Sequence, residues 1–248
     1  MRFCEDGPDI PDELLLARDE GRVVFFCGAG VSRAKAGLTD FVGLAFKVID
    51  SLGVPSDHPI LKVLQEITTI QQKTQVPGLI SVDKIFGLLE REFLKEDIEK
   101  AVSEALKPKV LDASAHQSIV DLATSSEGIT KIVTTNFDRL FIDCDESLNY
   151  WLAPETPDPS KFDGIVHLHG LTTNEYNSSE GEGYILSSSE FGKAYLSDGW
   201  ATRFIKSIID NYVIVFIGYT ADDPPVQYLL EAINKTTTSN QNIHDSFS

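Results

Sequence analysis

The sequence has few cysteines, few basic residues and no long apolar runs, and each shortage excludes a class of protein. Its three cysteines, Cys4, Cys27 and Cys144, lie far apart and form no CxxC pair. The chain therefore cannot build a four-cysteine zinc site, and it suits a reducing compartment. No apolar stretch approaches the ~20 residues that span a bilayer, and the acidic N-terminus lacks the pattern of a signal peptide. We expect a cytoplasmic protein without membrane contact.

Basic residues are outnumbered, with 21 Lys and Arg against 38 Asp and Glu and a net charge of −17. The basic residues are scattered rather than clustered, so we expect no direct binding to nucleic acid. The 248 residues are 42% hydrophobic and 24% charged, which is ordinary for a globular protein. This length suits one large domain or a domain that carries an insertion.

Four short apolar runs predict the strands of a sheet: VVFFC (23–27), KIVT (131–134), GIVHL (164–168) and YVIVFI (212–217). Their near-continuous apolar character is typical of parallel strands that helices cover on both faces. Each run is followed at once by small or polar residues, in the order GAGVS, TNFD, HG and GYT. Because ligands bind at the carboxyl ends of parallel strands, we expect these four clusters to converge on one crevice.

The stretch between the first two strands predicts helices. Apolar residues recur at helical spacing in LTDFVGLAFKVIDSLG, where Thr39 can cap the start and Gly53 the end, and three later segments keep this period. We predict an α/β fold with a Rossmann-like parallel sheet, helices on both faces and an inserted helical module. The predicted units are a core of residues 1–38 and 110–234, the module at 39–109, and a polar tail or linker at 235–248. A short strand is predicted at YIL (184–186), followed by a helix start at the serines 187–189 and Glu190.

Two interpretations of the glycine clusters stay open at this point. Gly28 and Gly30 can form a tight turn without a ligand, or they can let the backbone approach a phosphate at a helix N-terminus. Arg33 stands where the dinucleotide fingerprint has a third glycine. Likewise, Gly218 and Thr220 belong either to a Pro-terminated loop with solvated carboxylates or to a second phosphate contact.

The polar clusters after the second and third runs also have two interpretations. Asn136 and Asp138 can cap the next helix, or they can direct an amide and a carboxylate at a ribose or carboxamide. His169 is either structural or a general base placed at a strand end. Strand alternation predicts that His167 lies on the same face as His169, and we assign His167 a structural role. His116 has no sequence context that suggests a function.

Taken together, the four clusters resemble those of sirtuins, and most closely the sirtuin-like domains of bacterial antiphage defence proteins, over roughly residues 20–230. The resemblance implies that Asn136 positions ribose and water, Asp138 lines a nicotinamide pocket and His169 is the catalytic histidine. It implies cofactor-binding roles for Gly28, Ala29, Gly30, Ser32, Asp40, Gly218, Tyr219 and Thr220.

Two departures from the sirtuin pattern bear on activity. Val42 stands where sirtuins have an arginine after Asp-Phe, and the four zinc cysteines of the protein deacylases are missing. The helical stretch in their place resembles the NAD-hydrolysing defence members. The resemblance therefore implies NAD as a substrate, no zinc, and a homo-oligomer controlled by a regulatory or sensor domain or a partner protein.

The resemblance favours an NAD hydrolase that releases nicotinamide and ADP-ribose and so drains the NAD of the cell. A noncatalytic NAD or ADP-ribose sensor and an NAD-dependent protein deacylase are the alternatives. Because both Asn136 and His169 are present, chemistry is favoured over sensing.

Overall fold

The structure, a computed structural model, describes residues 9–74, 81–109 and 112–219. At its centre is a sheet of five strands in the order β3-β4-β2-β1-β5, and every neighbouring pair is parallel. The strands are β1 (Val23–Cys27), β2 (Lys131–Thr134), β3 (Tyr150–Leu152), β4 (Gly164–His167) and β5 (Val213–Ile217). The predicted Rossmann-like α/β fold is confirmed.

The strands differ from the predicted ones in three places. The short strand β3 was not predicted, because its three residues are partly exposed and form no continuous apolar run. Leu168 and Tyr212 lie just outside β4 and β5. The strand predicted at 184–186 is wrong: these residues form a loop, and Tyr184 and Leu186 are apolar because they enter the core of neighbouring helices.

The described residues form ten α-helices. They are α1 (Asp12–Asp19), α2 (Ala29–Ala34), α3 (Phe41–Ser51), α4 (Pro59–Thr74), α5 (Asp83–Leu89), α6 (Lys95–Ala105), α7 (Ser114–Ala123), α8 (Leu140–Cys144), α9 (Ser188–Gly192) and α10 (Trp200–Asn211). A π-helical turn, Lys193–Ser197, follows α9. The predicted helix start is confirmed, since Ser187 and Glu190 cap each other's backbone in a reciprocal capping box.

Helices cover both faces of the sheet, which explains the continuous apolar runs. Val24 and Phe26 of β1 pack on the face covered by α9 and α10, whereas Phe25 packs on the opposite face with residues of α7 and α8. Successive side chains of a strand point to opposite faces. A strand buried on both sides must therefore be apolar at every position.

The helices α3 to α6 pack around a third apolar core that includes Leu44, Val48 and Phe86. Helix α3 begins after Asp40 rather than Thr39, because the Asp40 carboxylate accepts the Gly43 N–H at 2.9 Å. Polar contacts join these helices to the segment after β4: Glu99 with Ser179, Ser103 with Tyr184, and Lys95 with Glu190. The division of the chain into a core, a module and a tail stays a prediction, and residues 235–248 lie outside the described ranges.

Candidate functional site

A cavity of about 310 Å³ lies at the carboxyl edge of the sheet. Because β1, β2, β4 and β5 are parallel, the segments that follow them reach the same edge. The volume is near the lower end of the roughly 300–1,000 Å³ found for ligand pockets. The lining residues are Ala29, Gly30, Ser32, Arg33, Leu38, Thr39, Asp40, Phe41, Leu44, Leu106, Thr135, Asn136, Phe137, Asp138, His169, Phe191, Gly218 and Tyr219.

The glycines after β1 allow close contact with the backbone that follows β5. A Cβ on Gly28 would lie 2.7 Å from the Tyr219 Cα, and one on Gly30 would lie 2.7 Å from the Gly218 Cα and carbonyl oxygen. The Gly30 N–H donates to the Gly218 carbonyl at 2.8 Å, and the Gly28 N–H donates to Ile217 at 3.1 Å. The close approach expected for a phosphate is thus made here by the chain itself.

These contacts limit how an anionic ligand can bind at this edge. The N–H groups of Gly28 and Gly30 already donate hydrogen bonds within the protein, so they are not available to a phosphate. Helix α2, which follows them, is only six residues long. The Arg33 guanidinium also lines the cavity and lies 3.5 Å from the Asp40 carboxylate, with both side chains exposed. A phosphate could therefore be held by Arg33, at the position where the dinucleotide fingerprint has glycine.

A buried hydrogen-bond network joins three of the predicted site residues. The Ser32 hydroxyl donates to Asp138 Oδ2 at 2.6 Å, and Asn136 Nδ2 donates to Ser32 Oγ at 2.9 Å. Asn136 Nδ2 also donates to the Gly28 carbonyl at 3.1 Å. Since a carbonyl oxygen can only accept, this bond fixes which end of the Asn136 amide is nitrogen. The Asn136 Oδ1 atom is left as the acceptor available at the cavity.

Asp138 serves the local structure as well as the network. Its Oδ1 atom accepts the Leu140 N–H at 3.1 Å, at the start of α8. The cap residue of α8 is Arg139 rather than Asp138, but the Asp138 carboxylate still accepts an N–H of the first helical turn while it lies on the cavity wall. A carboxylate has about four lone-pair sites, so these bonds leave room for a further donor.

His169 lies between the cavity and an aromatic cluster. Its Nε2 atom is 2.9 Å from the Tyr195 hydroxyl, and its ring centroid is 5.0 Å from that of Phe191 and 6.4 Å from that of Phe137. Burial lowers the pKa of His169 to about 3, so the imidazole is neutral at pH 7. Among the described residues Nδ1 has no hydrogen-bond partner, which leaves it as the nitrogen available to a ligand.

The buried neutral imidazole predicts a measurable pH dependence of stability. Between the ordinary pKa of 6.5 and the folded value of about 3, the unfolded chain binds a proton that the folded chain excludes. The free energy of unfolding therefore falls with decreasing pH in this window, by about 1.4 kcal/mol per pH unit for one proton. We expect His169→Asn to make the slope shallower by about this amount between about pH 4 and 6. Urea unfolding at several pH values measures the slope, and parallel curves for both proteins would contradict the assignment.

His167 does not share a face with His169, contrary to the expectation from strand alternation. Strand β4 ends at His167, the chain then turns, and His169 contacts Phe191 and Tyr195 on the other side of the sheet. His167 is fully buried, with Nδ1 at 3.3 Å from the Asn136 carbonyl oxygen. Burial lowers the pKa of His167 to about 4.

The structure places most of the predicted site residues on the cavity wall. They are Ala29, Gly30, Ser32, Asp40, Asn136, Asp138, His169, Gly218 and Tyr219. Gly28 lies beside this wall and bonds to Asn136, whereas Thr220 lies outside the described residues. Asp40 lines the cavity while it caps α3, so a structural role accounts for its carboxylate as well.

Sequence reasoning missed two side chains that contact the predicted residues. Tyr195 bonds to His169, and His116 lies 3.1 Å from the Ser32 hydroxyl through Nε2. One signal could have identified His116: it shares the buried stripe of α7 with Ile119, Val120 and Ala123 at helical spacing. A polar residue in such a stripe requires a buried partner. Tyr195 carries no comparable signal.

The described part of the chain contains no group of three or more His, Cys, Asp or Glu side chains that could hold a metal ion. None of its helices has both the length and the apolar character needed to cross a membrane.

Comparison with known proteins identifies similarity to a domain family. Residues 130–247 match the family model of the SIR2-like domain, consistent with a sirtuin-like domain, and such a domain implies NAD binding. The chain is also 34% identical over 247 residues to the uncharacterized protein y4cA of Sinorhizobium fredii. That alignment includes 94% of this chain but only 19% of the relative, so the chain spans about a fifth of the relative's length.

Proposed function

We propose that the chain is an NAD glycohydrolase that cleaves the bond between nicotinamide and ribose. The observation that carries the proposal is that Asn136 and His169, which follow different strands, line one cavity together with Asp138. These are the three positions to which the sirtuin resemblance assigns ribose, catalytic and nicotinamide roles. The aromatic and apolar side chains on the same wall suit a planar ring.

The reaction consumes water and needs no further reactant. The C–N glycosidic bond breaks, its electron pair stays on the pyridinium nitrogen, and nicotinamide leaves as a neutral molecule. Water adds to the ribose carbon and loses one proton, giving ADP-ribose. Because the cationic ring is a good leaving group, the protein has to orient the sugar and the water and stabilise positive charge that develops on the ribose.

The atoms left available by the buried network suit these tasks. Asn136 Oδ1 can accept from a ribose hydroxyl or from the attacking water, because both amide hydrogens are donated to Gly28 and Ser32. His169 Nδ1 can accept from the same hydroxyl or water. Its depressed pKa makes it a weak base, so its role is to orient and polarise the donor more than to retain a proton.

The remaining groups suit binding. The Asp138 carboxylate can accept from the N–H of a carboxamide, in keeping with the nicotinamide role, and the Arg33 guanidinium can pair with a phosphate. The backbone contact between Gly30 and Gly218 orders the two loops that adjoin the Arg33 side of the cavity. No metal ion takes part in this mechanism.

At the level of the cell, we propose an antiphage defence effector that depletes NAD. An unregulated NAD hydrolase would harm the cell that makes it, so the activity must be suppressed until a signal arrives. We propose that a homo-oligomer, a regulatory domain or a partner protein provides this control.

The proposal is tested by following nicotinamide chromatographically after the purified chain is mixed with NAD, with and without an acyl-lysine peptide. We expect equal amounts of nicotinamide and ADP-ribose, released at the same rate in both mixtures. Release that requires the peptide would instead indicate a deacylase. Calorimetric binding of NAD or ADP-ribose without any release would indicate a noncatalytic sensor.

A further inference from the structure

A histidine outside the cavity wall completes the network behind Asn136. His116 lies on α7 and is fully buried, and its ring meets Phe141 edge-on with centroids 4.7 Å apart. Its Nε2 atom is 3.1 Å from Ser32 Oγ, while its Nδ1 atom is buried and has no hydrogen-bond partner among the described residues. Among the described residues, the hydrogen bond of the His116 side chain is therefore directed at Ser32, and the Asp138 Oδ1 atom lies 3.9 Å from the same Nε2 atom.

The direction of each hydrogen bond follows from the number of protons. The Ser32 hydroxyl has one proton, and the Asp138 carboxylate, 2.6 Å away, can only accept it. Asn136 donates to the same hydroxyl oxygen through Nδ2. His116 must then be the donor in its contact with Ser32, through Nε2–H. Burial lowers the pKa of His116, against the opposing effect of the Asp138 carboxylate, so the ring is neutral at pH 7 and carries its one N–H proton on Nε2.

With this assignment the Ser32 oxygen is saturated, since it donates one hydrogen bond and accepts two. A His116 ring with an unprotonated Nε2 would compete with Asp138 for the Ser32 proton. The Nε2–H donor removes that competition, so the Ser32 proton stays on the Asp138 side. Ser32 then offers Asn136 a lone pair in one fixed direction, and Asn136 Oδ1 stays turned toward the cavity.

We propose that His116 is a positioning residue for NAD cleavage, which acts through Ser32 to hold the amide of Asn136 and the carboxylate of Asp138 in place. The inference rests on the proposed function for its kinetic consequence. The positioning itself is a property of the protein without substrate. An apolar residue would fill the space beside Phe141 equally well, but it would leave Ser32 without its third partner.

Two substitutions separate positioning from packing. His116→Leu keeps an apolar side chain and removes the donor, whereas His116→Gln keeps an N–H donor at a similar reach. We expect His116→Leu to lower kcat by about 10-fold to 100-fold with a smaller change in KM, because a displacement of about 1 Å can cost about 100-fold in rate. His116→Gln should recover most of the lost kcat. Thermal unfolding of both variants shows whether each is folded.

A second readout does not depend on turnover. The ¹⁵N–¹H signals of the Asn136 side-chain amide, assigned by their loss in Asn136→Ala, report the bond to Ser32. We expect these signals to shift in His116→Leu and to stay near their original positions in His116→Gln. Ser32→Ala should shift them as well, and His116→Leu added to Ser32→Ala should then have no further effect on kcat.

The outcomes distinguish the two proposals. If the unaltered chain releases no nicotinamide, the proposed function fails, and the Asn136 signals alone decide the role of His116. Unmoved signals in His116→Leu, with or without wild-type kcat, would overturn the positioning role. Equal losses of kcat and stability in the Leu and Gln variants would also overturn it, because packing alone would explain them.

Discussion

Replacing His169 with alanine is expected to lower the rate of nicotinamide release by about 100-fold, the lower end of the range for a positioned acid–base group, because the imidazole is a weak base that mainly orients its donor. The imidazole is neutral, bonded to Tyr195 and exposed to the cavity through its other nitrogen. Alanine removes that acceptor and the hydrogen bond between His169 and Tyr195. The measurement is chromatographic release of nicotinamide from NAD at saturating concentration, so that kcat is compared directly.

Asn136→Ala should give a loss of similar size, since both side chains are proposed to act on the same ribose. The matched control is His58→Ala, because His58 does not line the cavity. It lies just before α4, and its side chain is near that of Glu92, between α5 and α6. This control should retain the wild-type rate. If His169→Ala or Asn136→Ala turns over at the rate of the control, the catalytic assignment of that residue is wrong.

Replacing Gly30 with alanine is expected to lower the free energy of unfolding by about 1 to 3 kcal/mol, the usual cost of forcing extra atoms into a packed region. The added Cβ would lie 2.7 Å from both the Cα and the carbonyl oxygen of Gly218, and backbone cannot rotate away as a flexible side chain can. Relief requires the loops after β1 and β5 to separate, which breaks the Gly30–Gly218 hydrogen bond. Urea unfolding measures the loss.

Gly192→Ala is the matched control for this experiment. Gly192 has helical backbone angles, φ −58° and ψ −40°, and a Cβ placed there meets open space. Alanine is favoured over glycine by roughly 0.5–1 kcal/mol in such a position. The control should therefore be at least as stable as the wild type. A Gly30→Ala protein of wild-type stability would show that the two loops are not in contact as described.

The strands were predictable to the extent that burial on both faces makes them apolar throughout. This condition holds for VVFFC and KIVT, which correspond to β1 and β2. It fails for β3, an edge strand whose first residue, Tyr150, is exposed. It also misleads at 184–186, where Tyr184 and Leu186 are buried in a core between helices without belonging to a sheet. Burial, not strand pairing, is the property that the pattern detects.

The position of the candidate site followed from the order of the polar clusters, but its internal bonds did not. Parallel strands bring their carboxyl ends together whatever residues follow them, so Asn136 and His169 could be placed near each other from the sequence. The contact between His116 and Ser32 joins residues 84 positions apart, and no local pattern encodes its distance. The partner of the Gly30 backbone, Gly218, is still more remote in the sequence.

The central claim is that one cavity, bounded by Asn136 and His169, binds NAD and cleaves it. The most direct test is a crystal structure of the His169→Ala protein soaked with NAD, since the impaired variant should keep the dinucleotide intact. We predict that the nicotinamide ribose lies in this cavity within hydrogen-bond distance of Asn136 Oδ1. NAD bound at another surface, with this cavity empty, would contradict the claim.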